Sequence, residues 1–151
     1  MDCCDHVAIT NLLAEYPEHF DAGDFDAFGA LFAHGTWFST AGEPPGAEPV
    51  RRWCEENIML YDGRPNTRHC ISNVSIELDR EAGTATTRSY VTVWQALVDF
   101  PLRAILVGRY VDRLERLDGS WWFRERDVRP DLIGDLSRHM RIPPPPGPLP
   151  M

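Results

Sequence analysis

From Arg68 onward the chain changes rhythm, and that change limits what it can fold into. Arg68–Leu78, Thr84–Leu97, Arg103–Leu117 and Ser120–Val128 are rich in Val, Ile, Thr, Tyr and Trp, the residues that suit a pleated, half-buried surface. The joints between them are turn formers: residues 79–83 ending in Gly83, then Asp99-Phe100-Pro101, then Asp118-Gly119. Asp-Gly between two apolar runs signals a hairpin. Joints this short leave no room for crossover helices, so the strands must run antiparallel as a meander.

The N-terminal third reads as helix. Ile9, Leu12, Leu13, Tyr16 and Phe20 recur at helical spacing and form one apolar stripe. Asp5 is placed to cap the start. Pro17 lacks a backbone donor and clashes one turn back, which predicts a kink or an end near Tyr16. Gly23 breaks the chain, and Asp24 caps a short second helix carrying Phe25, Phe28, Leu31 and Phe32. Residues 35–40 read as a short strand. Pro44-Pro45-Gly46 marks a turn, and Pro49 opens a third helix reaching Leu60, with Val50, Trp53, Cys54 and Asn57 on one side.

Helices first and a meander after is an α+β order. The expected architecture is a cone-shaped, curved antiparallel sheet with three N-terminal helices packed on its concave face. Residues 1–141 form one domain in this reading. Residues 142–151 form a proline-rich tail, extended and unable to make helix or interior strand. Alternation puts Val74, Ile76 and Leu78 on one side of their strand and His69, Ile71 and Asn73 on the other. Bulky groups also occupy both sides of Tyr110–Leu114 and Trp121–Phe123. A sheet apolar on both faces needs cover on both, so a homodimer or homotrimer is expected on the outer face.

A net charge of -8 argues against tracking nucleic-acid phosphates or docking on an anionic membrane. All 15 basic residues are arginine, which rules out Schiff-base, pyridoxal-lysine and P-loop chemistry. Cys3, Cys4, Cys54 and Cys70 have no zinc spacing, and Cys3-Cys4 reads as part of a frayed, reduced N-terminus. No two histidines cluster with a carboxylate: His19 points to a solvated side of its helix, and His34 and His139 have no companion at ligand spacing. Neither a metal nor a cofactor is expected. No signal-peptide pattern or membrane-length apolar run is present, which suggests a cytoplasmic protein.

Five features, taken together, resemble one superfamily. They are Tyr16 with Asp21 five residues on, Gly23-Asp24 opening a Phe-rich helix, Arg68-His69 opening a strand, the run Gly108–Arg113, and the run Asp118–Arg124. Over most of the chain this set resembles the nuclear transport factor two-like superfamily. Within it, the set resembles the SnoaL-like branch of polyketide cyclases, scytalone dehydratase, bile-acid dehydratase and ketosteroid isomerase-like proteins. The family's dehydratases use an aspartate–histidine dyad with a helper tyrosine. The resemblance carries those roles onto Asp21, His69 and Tyr16, and the bile-acid branch's basic residue onto Arg129. The second carboxylate of that branch has no counterpart, since Val93 falls near its place. Scytalone dehydratase's second histidine has none either.

The chemistry that follows is acid–base. Asp21 would hold one nitrogen of His69 and fix its tautomer. His69 would take a proton from a carbon beside a carbonyl, or from a hydroxyl, and return it to a departing oxygen. Tyr16 would donate to the carbonyl as an enolate develops, and Arg129 would clamp a carboxylate or polarise a carbonyl. Each residue also has a plainer role: Asp21 bracing a turn, His69 as a satisfied core imidazole, Tyr16 as a helix-face aromatic, Arg129 paired among Glu125, Asp127 and Asp131. Trp37, Trp53, Trp94, Phe28 and Phe32 are candidate pocket walls or ordinary core. As walls they would suit a small apolar or polycyclic substrate.

The function implied is a cofactor-independent dehydratase, isomerase or cyclase of an apolar carbonyl-bearing metabolite, in secondary metabolism. Two alternatives stand beside it. One is a non-catalytic small subunit resembling the β subunit of ring-hydroxylating dioxygenases. The other is a limonene-type epoxide hydrolase using Arg129 between Asp127 and Asp131.

Overall fold

The computed structural model describes residues 2–150, with side chains from Cys4 to Pro150. Helices α1 (Asp2–Ala22), α2 (Phe25–Ala30) and α3 (Ala47–Asn57) come first, with a two-residue strand β1 (Thr36–Trp37) before α3. Then follow β2 (Thr67–Asp79), β3 (Thr84–Leu97), β4 (Phe100–Leu117), β5 (Ser120–Ile133) and a short β6 (Gly147–Pro148). The sheet order is β1-β5-β4-β3-β2, with β6 also paired to β5.

The meander β2 to β5 is antiparallel throughout. The sheet as a whole is mixed, because β1 pairs with β5 in parallel. The chain reaches that edge from the helical layer, not through a hairpin, so nothing forces it to reverse. The fold class is α+β, as the order of elements implied.

Helix α1 departs from its expected form. It runs through Pro17 to Ala22 without ending at Tyr16. An interior proline costs about 3 kcal/mol. Tyr16 and Phe20, each about 3% exposed, flank it. Burying two such side chains contributes roughly 1.5–3 kcal/mol apiece, which offsets the loss. Asp5 is not a cap. It sits inside the helix and accepts hydrogen bonds from Trp121 Nε1 (3.0 Å) and Arg116 Nη1 (3.3 Å) on the sheet. The helix also runs through Cys4; the Cys3 side chain lies outside the described residues.

Asp24 does cap α2, accepting from the Ala27 amide at 3.0 Å. The turn before it requires glycine: Gly23 has φ 75°, and a Cβ there would overlap the Gly63 carbonyl. That turn fixes where the end of α1 meets the loop leading into β2.

Strand β2 corrects the expectation of two apolar faces. Asn73 takes a left-handed conformation (φ 54°), and the register with β3 slips between Ser72 and Ser75. Asn tolerates that conformation better than most side chains. The bulge turns Ile76 and Leu78 onto the inner face already held by His69 and Ile71, opposite Thr87 and Ala85. Arg68, Cys70, Ser72 and Glu77 are left outside, and Val74 is exposed. Along β3 the alternation is regular, with residues 85, 87, 89, 91, 93 and 95 all buried.

The core lies between this inner face and the helices. Ile9, Leu13, Phe28 and Phe32 meet Val91, Leu114 and Phe123 there. The proline-rich segment is extended, and part of it lies along the domain's own sheet. Gly147 and Pro148 pair with Ile133 and Leu132, and the Leu149 amide donates to Asp131 O at 2.9 Å. Proline is tolerated at such an edge because it need not donate. No helix among the described residues is long and apolar enough to cross a membrane.

Candidate active site

Asp21 lies on the last turn of α1, facing the first residues of β2. The period-two alternation of a strand puts Thr67 and His69 on the same face, and both reach this carboxylate. Thr67 Oγ1 donates to Oδ1 at 2.7 Å, and the His69 backbone amide donates to Oδ2 at 2.8 Å. His69 Nδ1 lies 2.7 Å from Oδ1. Both side chains are nearly sealed, at 3% and 8% exposure. Burial pushes the Asp21 carboxyl up, but the hydrogen bonds from His69 and Thr67 and the neighbouring imidazole outweigh it and hold the group below its ordinary range.

An ionised carboxylate only accepts, so Nδ1 of His69 carries the proton. Nε2 is the ring nitrogen not engaged by the carboxylate. His69 lines a cavity of ≈ 200 Å³ over the inner face of the sheet, while Asp21 stands behind it, off the cavity wall. The wall is apolar and aromatic, with Trp37, Trp53, Phe20 and Val93 among its members. Its polar groups are the phenols of Tyr16 and Tyr110, Ser39, and the imidazoles of His69 and His139. No carboxylate or guanidinium contributes to it. Val93 pairs directly with His69 across β2 and β3, which puts a hydrocarbon beside the imidazole where a second carboxylate was sought.

Tyr16 is held from two sides. Its Oη accepts from Trp37 Nε1 at 3.1 Å. Its ring lies on the guanidinium of Arg126, 4.2 Å from the centroid. Burial pushes the phenol up to about 12, against the pull of Arg126 and of hydrogen bonds with Trp37 and Tyr110. At neutral pH it is a donor.

Arg126 is fully buried and bound through two hydrogen bonds (2.8 and 2.7 Å) to Asp112 on β4, which also accepts from Thr87 Oγ1 at 2.8 Å. Burial would lower the guanidinium's hold on its proton; Asp112 and the two phenols more than restore it. The Tyr110 ring caps the same guanidinium at 4.0 Å.

The structure thus brings Asp21, His69 and Tyr16 together, with Trp37 and Trp53 on the cavity wall. It separates the other candidates. Arg129 is a correction: its neighbours Val128 and Pro130 line the cavity, so it points out of the other face, where its Nε donates to Asp127 at 2.7 Å. Trp94 is corrected for the same reason, standing 38% exposed on the outer face beside inward Val93. Phe28 and Phe32 are sealed core, the first under Tyr16 (4.8 Å between centroids) and the second stacked on Phe123 (5.1 Å). The placement of Arg129 also removes it from any water-activating site in this cavity.

Two residues of the cavity wall, Tyr110 and His139, and the buried Arg126 beneath Tyr16 escaped the sequence reading. Tyr110 and Arg126 are strand residues whose inward parity depends on the register. His139 follows the sheet in a turn that carries no signal of its own. Among the described residues, His, Cys, Asp and Glu nowhere gather in threes that could hold a metal.

The family profile described as a SnoaL-like domain matches residues 1–127. No curated protein matches the chain in sequence. Among solved structures, the fold is shared with a scytalone dehydratase candidate from Novosphingobium aromaticivorans (23% identity, 87% of each chain covered, TM-score 0.67). A nuclear transport factor two-like protein with a cystatin-like fold from the same organism is similar at 18% identity, with 82% of this chain and 80% of that one covered (TM-score 0.66). So is the β subunit of a candidate aromatic-ring-hydroxylating dioxygenase, also from that organism, at 17% identity over 84% of this chain and 89% of that one (TM-score 0.65).

Proposed function

This chain belongs to the SnoaL-like family, and we propose that within it the protein is a lyase or isomerase that relies on its own acid–base groups, acting on a small apolar carbonyl compound. One observation carries this reading. His69, bound through Nδ1 to the sealed carboxylate of Asp21, lines an aromatic-walled cavity.

The proposed steps use these groups in turn. His69 Nε2 takes a proton from the carbon next to the substrate carbonyl. Asp21 stabilises the imidazolium that results and keeps the ring in one orientation. Tyr16, whose oxygen already accepts from Trp37, keeps its own proton for the carbonyl oxygen as charge gathers there. The imidazolium then returns the proton. Delivered to a hydroxyl on the next carbon, it expels water; delivered to a carbon further along the conjugated system, it isomerises. Attack of the enolate on a second carbonyl closes a ring. A flat hydrocarbon face fits against Trp37 and Trp53, which meet edge to face at 4.9 Å.

A purely structural role, on the pattern of a dioxygenase β subunit, would be met by a filled interior. The open space beside His69 favours the enzyme. A homodimer or homotrimer remains part of the proposal, with exposed Tyr90, Trp94 and Leu132 as apolar points on the strands; light scattering that returned a monomer would remove it.

The test needs no natural substrate. Uptake of deuterium from heavy water at the carbon beside the carbonyl of 2-tetralone, followed by NMR, reports the first proton transfer alone. The protein should accelerate it, and Asp21→Asn and His69→Ala should each lower the rate by roughly 10²–10⁴, the usual worth of a positioned base. Unchanged exchange in either variant, with the fold intact by circular dichroism, would end the acid–base reading.

A further inference from the structure

We infer that the proline run Pro143–Pro146 is a strap across the mouth of the cavity that His69 lines, latched to β5 at its far end, and that neutral ring ligands enter and leave when this latch lets go. The inference rests on the proposed function for taking this cavity as the site.

Exposure marks the mouth. Most of the cavity wall is buried or half-buried; among the described residues on it, the two exposed ones are Phe38 and Pro144. Phe38 opens the short turn after β1, and its ring meets Trp37 and Trp53 at 4.9 and 6.4 Å. Pro144 comes from the C-terminal segment. Each touches the cavity and also meets water, so they stand at the boundary between the two.

The sequence dictates how the strap is held. Proline has no amide hydrogen and a fixed φ. Four in a row make a stiff, extended rod, about 3.1 Å per residue, that has no donors with which to join a sheet. The rod is fastened at its ends. On one side the Arg141 amide donates to Asn57 O at 2.9 Å, and Met140, itself on the cavity wall, bridges to Ile58 just after α3. On the other, Gly147 and Pro148 pair with Ile133 and Leu132 of β5, and the Leu149 amide donates to Asp131 O at 2.9 Å.

The two ends differ in strength. Before the rod, the His139 and Met140 amides both donate to Leu136 O at 3.0 Å, and His139 O accepts from the Met59 amide at 2.9 Å. After it, Pro148 and Pro150 give nothing, so only Gly147 and Leu149 have amides to offer. Gly147 also makes the bend out of the rod. Its φ is 142°, a conformation that side chains rarely adopt, yet no neighbour crowds the place of a Cβ. The latch is therefore the end that yields. Its partner Ile133 lies on the cavity wall, so the same stretch of β5 holds the latch and borders the opening.

The wall also limits what passes. It carries no carboxylate or guanidinium to meet a charged ligand, and it encloses ≈ 200 Å³. A dry cavity of about 150 Å³ holds benzene, so one or two rings fit here.

Stopped-flow binding of 2-naphthol, followed by tryptophan fluorescence, reads the gate without any turnover. Leu132→Cys with Pro148→Cys bolts the latch, since facing residues of an antiparallel pair are about 4.5–5.5 Å apart, within disulfide reach. Once oxidised, this variant should bind and release 2-naphthol about tenfold more slowly with Kd within about threefold of wild type, and a thiol reductant should restore both rates. Gly147→Ala, which strains the bend without a clash, should raise both rates about threefold, and a chain ended at Ile142 should raise them about tenfold. Unchanged rates in the oxidised variant, slow rates that persist after reduction, or wild-type rates in the shortened chain overturn the strap, as does a wild-type protein that takes up no 2-naphthol. If the shortened chain fails to fold, the oxidised variant decides. Latch-dependent rates without deuterium exchange into 2-tetralone would sink the acid–base reading and leave the strap standing; exchange with rates indifferent to the latch would do the reverse.

Discussion

The protein buries two aspartates against basic side chains, and their difference separates a site from a strut. Asp112 and Arg126 are both 0% exposed, joined by two hydrogen bonds and stacked among Tyr16, Tyr110 and Phe123. The guanidinium cannot lose its proton, and it is not on the wall of the cavity that His69 lines. Asp21 and His69 are nearly as buried, but the partner there is an imidazole, with a second nitrogen, that lines an open cavity. One pair can move a proton and the other cannot. They meet at Tyr16, whose ring rests on Arg126 and whose phenol lines the cavity. The strut holds in place a donor that the site would use.

The largest effect should come from breaking the strut. Asp112→Ala leaves a buried guanidinium without its carboxylate, and urea unfolding should show a loss of about 3–5 kcal/mol. Replacing both partners together, Asp112→Leu with Arg126→Met, should recover most of it, because no lone charge is left behind. A loss under about 1 kcal/mol for Asp112→Ala would mean that the pair is not sealed.

On the cavity side the effects should depend on pH. His139 is held neutral by burial, with a folded pKa of about 3 against an unfolded value of about 6.5. The unfolded chain therefore takes up this proton first as pH falls. The stability tied to His139 is complete above about pH 6.5 and drains away as pH drops toward the folded value. His139→Leu should flatten that stretch of the stability curve, measured as urea midpoints across the range. A curve with unchanged slope would mean that the ring is already charged in the folded protein.

Asp21 acts lower in pH. Its folded pKa lies below the ordinary value, because the bonds from His69 and Thr67 outweigh burial. Its contribution is present above the unfolded pKa of about 3.9 and lost as pH falls through the folded one. Asp21→Asn should shallow the acid limb below about pH 4 and leave the slope above it to His139. If the Asn variant instead alters the slope near neutrality, the carboxyl is not ionised as the hydrogen bonds imply.

The fold was legible in the sequence wherever period two or a cap controlled it. The meander, the Asp118-Gly119 hairpin and the Asp24 cap depend on neighbours in the chain, and those are visible. Features set by register were not. Val93 and Trp94 differ by one position, yet one faces His69 and the other faces out. Asn73 reverses the face of Ile76 and Leu78 through a single bulge. Asp112 and Arg126 sit in strands dotted with exposed arginines, so on paper they pass for a solvated face. Only the β4–β5 register, which pairs them directly, shows that they point inward. Asp21 and His69 lie far apart along the chain, and the residue types alone left their meeting open. The family resemblance joined them. Nothing local marked His139, because its place is fixed by backbone bonds to Leu136 and Met59.

The smallest expected effect tests the boundary between the two faces of the sheet. Arg129 matches the family's basic residue by order in the chain, but its side chain leaves by the outer face and is about half exposed, paired with Asp127. Exposed pairs of this kind contribute about 0–1 kcal/mol. Arg129→Ala should therefore change the unfolding midpoint little, and it should leave deuterium exchange into 2-tetralone at the wild-type rate. That result would set it apart from His69→Ala, although both residues were drawn from the same family pattern. A drop of roughly tenfold or more in exchange, with stability held, would require the outer face to act on the reaction. A single chain offers no route for that, because Arg129 and the cavity are on opposite sides of the sheet. The effect would have to pass through a second copy seated on the outer strands, so this variant also tests the expected oligomer.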